Sequence, residues 1–334
     1  NDALRTAVDY DKEHVKAREA LGFKKEGNVW VGAGDRAEKA EMQKKASSAE
    51  GGRPVEKSTA DDKAIGTKLN KRESTHFFLQ SPFPDAVLAE LIKLAETTRS
   101  EYHTLFEVPQ DKELVEGLIW GILLKEQKEY HAWIDGMVDG SEGNRDQLKR
   151  TGGHCKYEPP QYCGYEDDVN GTRDFVVHYT SHVLLHYYMN PAPGVMQPWL
   201  WEGLGHYFSH KLLRTALTNC FAQATGNTNK AGVPRDSDYW KQFIRDAVVK
   251  GNDPDMRIVM TAGINQLDGE MLVKAWSVLD WVLASKKKEF LAFLEALKST
   301  DGSGPQQEEA LKQTIGWNYA DFDHEWREYV RKNY

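Results

Sequence analysis

His178 and His182 stand four residues apart inside VVHYTSHVLL, a stretch that is apolar on nearly every side. At 3.6 residues per turn, such positions lie one above the other on the same helix face. Both imidazoles therefore meet the same neighbour, and the helix that carries them reads as buried. Glu202 follows twenty residues after His182, inside PWLWEGLG and beyond the reversal NPAPG at 190–194. A second helix that starts near Pro198 brings Glu202 back alongside the first. Such a fold brings two imidazoles and a carboxylate together, whereas the histidine pair on its own is equally the pattern of two packed side chains on a buried helix. Those donors suit zinc, which takes nitrogen and carboxylate ligands tetrahedrally and, in hydrolytic sites, keeps a fourth position for water. Asp174, Thr180 and Ser181 are candidates to orient the ligands from behind. His206, one turn beyond Glu202, can be an outer partner, an extra ligand or a buried aromatic, whereas His186 and His210 read as packing residues.

The bulk of the chain narrows the classes of function. Its 334 residues allow one large domain or two ordinary ones, and 40% hydrophobic with 28% charged residues is a globular composition. A formal charge of −8 leaves no basic footprint for nucleic acid. No apolar run reaches the ~18 residues of a membrane helix. The chain opens at Asn1 rather than at methionine, which fits removal of a leader. Cys155 and Cys163 enclose the short stretch KYEPPQY and can close a disulfide in an oxidising compartment, with free thiols as the equal alternative. Cys220 is then left over, and without a Cys-x-x-Cys pair no thiolate metal site is suggested.

Periodicity divides the chain into a small module and a larger domain. Residues 1–21 and 35–45 have helical patterns around a hairpin, FKKEGNVWV, that turns at Glu26, Gly27 and Asn28. Residues 46–75 have the small and charged composition of a linker. Strand signals at 76–81 and 118–124 alternate with helical patterns at 84–106 and 126–138, and 152–169 reads as loops with at most an irregular edge strand. Helices are expected at 172–189, 199–216, 239–250, 271–284, 287–298, 306–314 and 319–332. Strands first and helices later is an α+β order. Tryptophans such as Trp199, Trp240 and Trp276 sit at helical spacings and read as packing. Asn170 with Gly171 and Thr172 is an ordinary turn rather than a glycan acceptor, and the glycines at 32 and 34 are too few for a nucleotide loop.

HYTSH at 178–182 followed by PWLWEGLGHYFS at 198–209 resembles the gluzincin zinc peptidases with a peptidase MA-like domain, whose motif runs H-E-x-x-H and then roughly W-L-x-E-G-x-A-x-Y. The likeness extends over 76–334, up to a helical region containing Glu325, Trp326 and Arg327, and residues 1–45 resemble an accessory module found ahead of such domains. The resemblance implies a zincin-like fold with a small mixed sheet, His178, His182 and Glu202 as zinc ligands, and a secreted or periplasmic location. It also places Tyr179 where the family keeps its general-base glutamate. Positioned proton transfer contributes ~10²–10⁴-fold, and a tyrosine with an ordinary pKa of about 10 is a donor at neutral pH. The expectation is an inactive peptidase homologue that serves as a binding or structural component with a protein or peptide partner, with or without its zinc. Two alternatives stay open: a metallohydrolase with an altered proton shuttle, and a metal-free structural subunit of a larger assembly.

Overall fold

The computed structural model describes residues 14–20, 24–26, 29–31, 51–190, 197–220 and 237–334. Of the amino-terminal module it describes helix α1 (Val15–Ala20) and an antiparallel hairpin of β1 (Lys24–Glu26) and β2 (Val29–Val31), paired Lys24 with Val31. The rest of the helical reading at 1–21 and 35–45 lies outside the described residues.

A six-stranded mixed sheet follows, built from β3 (Arg53–Pro54), β4 (Asn70–Glu73), β5 (Phe77–Ser81), β6 (Ile119–Leu124), β7 (Gly153–Tyr157) and β8 (Pro160–Tyr165), in the spatial order β3-β4-β5-β6-β8-β7. The central pairs β5–β6 and β6–β8 are parallel and the outer pairs antiparallel. Strand alternation sends the two sides of β6 to different layers. Ile119 and Leu123 join the main core beneath helix α3 (Asp85–Leu105), while Ile122 and Leu124 pack with Leu69, Tyr130, Trp133 and Ile134. The second layer is covered by α4 (Gln127–Met137), with α2 (Ala60–Ile65) against it. Helix α5 (Glu142–Lys149) buries none of its residues and therefore lacks the apolar stripe that a sequence reading needs.

Two expectations are corrected here. The described part of the supposed linker, 51–75, carries β3, α2 and β4, with Asp61, Asp62, Lys71 and Arg72 all buried. Its charges satisfy one another instead of facing water: Lys71 Nζ bonds both oxygens of Asp62 at 2.7 and 2.8 Å, and Asp61 accepts from Gln80 and from the Trp133 indole. The segment 152–169 is no loop region, because β7 and β8 form a hairpin whose second strand pairs with β6.

The remainder is helical: α6 (Val169–Met189), α7 (Pro198–Leu213), α8 (Ser237–Lys250), α9 (Met256–Thr261), α10 (Gly269–Ser285), α11 (Lys287–Leu297), α12 (Gly304–Thr314) and α13 (Tyr319–Asn333). The sequence reading lacks α9, which at six residues is too short for a periodic signal. Helix α7 packs on α6 and on α10. Two glycines make that close approach possible. A Cβ on Gly203 would sit 2.9 Å from the Ala275 carbonyl oxygen, and one on Gly205 would sit 2.6 Å from the His178 ring. The fold is α+β, and no helix among the described residues is long and apolar enough to cross a membrane.

Candidate metal centre

Helix α6 starts at Asp168, whose carboxylate accepts from the N–H groups of Asn170 and Gly171 and caps the first turn. One turn in lies Asp174, and the next two turns present His178 and His182, each almost wholly buried. Helix α7 begins with Pro198 in its first turn and delivers Glu202, fully buried, opposite the histidines. The separations are 3.6 Å from His178 Nε2 to Glu202 Oε2 and 3.9 Å from His182 Nε2 to Glu202 Oε1. Both exceed hydrogen-bond length. They approach the ~3.3–3.6 Å between two ligands that share a tetrahedral zinc at 2.0–2.3 Å.

Cys220 joins these three. Its Sγ lies 3.5 Å from His178 Nε2 and 3.4 Å from the Tyr179 hydroxyl, and its backbone N–H reaches Glu202 Oε2 at 3.4 Å. Ligand atoms of His178, His182, Glu202 and Cys220 all lie within 4.8 Å of one another, so this buried group could hold a metal ion. The donors fit one: His182 Nε2 and Glu202 Oε1 are buried without a hydrogen-bond partner, and among the described residues no lysine or arginine pairs with the carboxylate. Burial works to raise the Glu202 pKa, but His178 and His182 outweigh it and hold the carboxyl below its ordinary value. Burial, with His178 beside it, pushes His182 down to about 3, so the imidazole is neutral at pH 7 and its lone pair is available. The Glu202 carboxylate and the Trp201 backbone work the other way without offsetting burial.

The other residues singled out in the sequence fall into place around this group. Tyr179 is buried beside Cys220, and burial, then Cys220, raise its hydroxyl pKa well above 10. Among the described residues Asp174 makes no hydrogen bond to either histidine. Its oxygens accept from Ser209 Oγ, Thr215 Oγ1 and the backbone N–H groups of Leu217 and Thr218, so it pins the segment that carries Cys220. Thr180 bonds the Tyr162 hydroxyl and Ser181 bonds the His178 carbonyl. His206 is a buried aromatic outside the cluster, wedged between His178 and Trp240 with ring centroids 4.9 Å from each, and neither of its nitrogens has a partner. His210 packs on Trp240 and Trp276, and His186 stacks on Tyr157.

The disulfide expectation is corrected. Cys155, Cys163 and Cys220 are free. The β7–β8 register pairs Cys163 with His154 and Cys155 with Tyr162, an offset of one residue that turns the two thiols to opposite faces of the sheet. Cys163 packs in the layer under α4, while Cys155 packs against the main core. Cys220 is the residue that sequence reasoning missed. It stands alone, eighteen positions past Glu202, and carries no spacing signature.

A cleft of about 580 Å³ opens over the cluster, lined by Tyr179, His182, Trp201, Glu202 and Cys220, by residues of 147–157 including His154, and by Ile264 and Asn265. Glu202 is its only carboxylate among the described residues. His154 accepts or donates at the Tyr130 hydroxyl, and burial lowers its pKa to about 4. Neither models of known protein families nor characterised proteins match the sequence.

Proposed function

We propose that the protein is a catalytically inactive relative of the gluzincin peptidases, with a zincin-like arrangement of sheet and site helices, that holds zinc at His178, His182 and Glu202 and binds an extended protein segment in the cleft. When bound, zinc would supply a positive charge that ties the two site helices together. The observation that carries the inactive reading is the lining of the cleft. Its single carboxylate, Glu202, is among the metal-binding residues, and the neighbouring hydroxyl of Tyr179 is held protonated by burial. Among the described residues no further carboxylate lines the cleft to take a proton from an attacking water. The binding reading is supported by β7, which pairs with β8 and, among the described residues, is the last strand of the sheet along the cleft. A strand in that place is suited to accept an extended partner through its backbone.

A second reading, a hydrolase with a different shuttle, is favoured by His154, a neutral imidazole in the same lining. Its low pKa makes it a weak base, which is why the first reading is preferred. One experiment separates them. Purified protein, loaded with zinc, is offered a mixed peptide library with and without a chelator. The proposal expects bound zinc, retention of a subset of peptides and no chelator-sensitive cleavage. Robust turnover abolished by both His178→Ala and His154→Ala would replace it with the second reading.

A further inference from the structure

We propose that Cys220 is the fourth protein ligand, so that the site is a closed His-His-Glu-Cys centre with no coordination position left for water. The inference rests on the metal-binding reading above and departs from the resemblance, which implies three protein ligands and an open position. Geometry is the first support. The Cys220 Sγ lies 3.5 Å from His178 Nε2. A zinc–sulfur bond of 2.3 Å and a zinc–nitrogen bond of 2.0–2.1 Å at a tetrahedral angle put the two ligand atoms about 3.5 Å apart. Buried donor atoms that lack partners are the second support, since His182 Nε2 and Glu202 Oε1 share the same small space as the thiol.

The segment is also built to bring the thiol there. Asp174 is fully buried and spends its oxygens on Ser209, Thr215, Leu217 and Thr218, which ties 215–218 to both site helices just before Cys220. A buried carboxylate with four donors and, among the described residues, no cation is a costly arrangement for an incidental loop. It is understandable if the loop must deliver a ligand atom within a few tenths of an ångström. Asp174 is then a positioning residue that acts through Cys220. A closed four-ligand set is the pattern of structural zinc, and a sulfur donor favours zinc or cobalt over magnesium or calcium.

The test uses the full chain with cobalt(II) in place of zinc and reads the ligand-to-metal charge-transfer absorption of a cobalt–thiolate bond beside the ligand-field bands. The proposal expects the charge-transfer band in the wild type and in Cys155→Ser, whose thiol lines the same cleft. It expects loss of that band in Cys220→Ser with the ligand-field bands kept. Asp174→Asn should weaken cobalt affinity about 10–100-fold and diminish the band, while leaving it present at saturating metal. X-ray absorption of the zinc-loaded wild type needs no variant and should give one sulfur near 2.3 Å with nitrogen or oxygen at about 2.0–2.2 Å. Bound metal without a sulfur signal, or a band that survives Cys220→Ser, overturns the role of Cys220 and leaves the three-residue site standing. Absence of any bound zinc or cobalt overturns both.

Discussion

At residue scale, two obstacles stand between this site and hydrolysis, and they are independent. On the proposed gluzincin relationship Tyr179 stands in the place of a proton acceptor, and its hydroxyl pKa is driven well above 10 by burial and by Cys220. In the proposed four-ligand site the Cys220 thiol, 3.5 Å from His178 Nε2, would take the position where an attacking water meets the metal. Tyr179→Glu alone should therefore leave peptide hydrolysis at background. Tyr179→Glu combined with Cys220→Ala supplies both a base and an open position, and any chelator-sensitive turnover should appear only in the double variant, with at most the ~10²–10⁴-fold that a positioned base contributes. Turnover in Tyr179→Glu by itself would show that the thiol does not block the position. Gly205 makes a second test. Its missing Cβ lets α7 lie directly on the His178 ring, where a methyl group would come within 2.6 Å. Gly205→Ala should tilt that imidazole, cost about 1–3 kcal/mol of stability in urea unfolding, and weaken zinc in a competition titration. Unchanged zinc affinity would mean that the ring position is not what the glycine protects.

At the scale of elements, the segment 51–75 shows how charge can mislead. Thr59 caps α2 by accepting from the Asp62 N–H, and the Asp62 carboxylate in turn accepts from the Thr59 and Leu69 N–H groups and holds Lys71 on β4. Burial alone would raise its pKa, but the Lys71 ammonium and these N–H donors outweigh burial and lower it from 3.8 to about 2. A carboxyl lowered in the folded state stabilises that state above its unfolded value and loses the contribution as pH falls toward the folded one. Between pH 4 and pH 2 the wild type should thus lose about 2 kcal/mol more than Asp62→Asn, followed by urea denaturation at each pH. Parallel pH curves for the two proteins would refute the pairing. A composition that reads as solvated was in fact a buried network, because Asp61, Asp62, Lys71 and Gln80 find partners only once the helix lies against the sheet. The β7–β8 hairpin escaped notice for a related reason. Its glycines and prolines blur any alternation, and pairing with β6 decides the conformation instead.

Across the whole molecule, a single cluster of buried apolar residues runs from Phe77 in the sheet to Val330 in the last helix. One polar junction sits at the far end of it. Lys274 on α10 is fully buried, bonds Asp253 and Asp323, and lies 4.0 Å from the Trp326 ring centroid, while Arg327 reaches the same two carboxylates. Removing one member of such a group leaves a buried charge uncompensated, typically a loss of 3–5 kcal/mol. Lys274→Met should lower the unfolding free energy by that amount, read as a lower denaturation midpoint at unchanged slope, because the shared core makes unfolding one event. A separate early transition would mark the carboxy-terminal helices as an independent unit.

The sequence by itself determined the shared face of His178 and His182, the burial of their helix and the return of Glu202 beside them. Those follow from helical period and a proline-rich reversal, which are local properties of the chain. Tertiary structure alone decided that Asp174 serves the Cys220 segment rather than a histidine, that Cys155 and Cys163 face apart, and that a solitary cysteine completes the donor group. Each of these depends on which distant backbone comes to lie within a few ångströms. A register offset of one residue or the anchoring of one loop settles it, and neither leaves a period in the sequence.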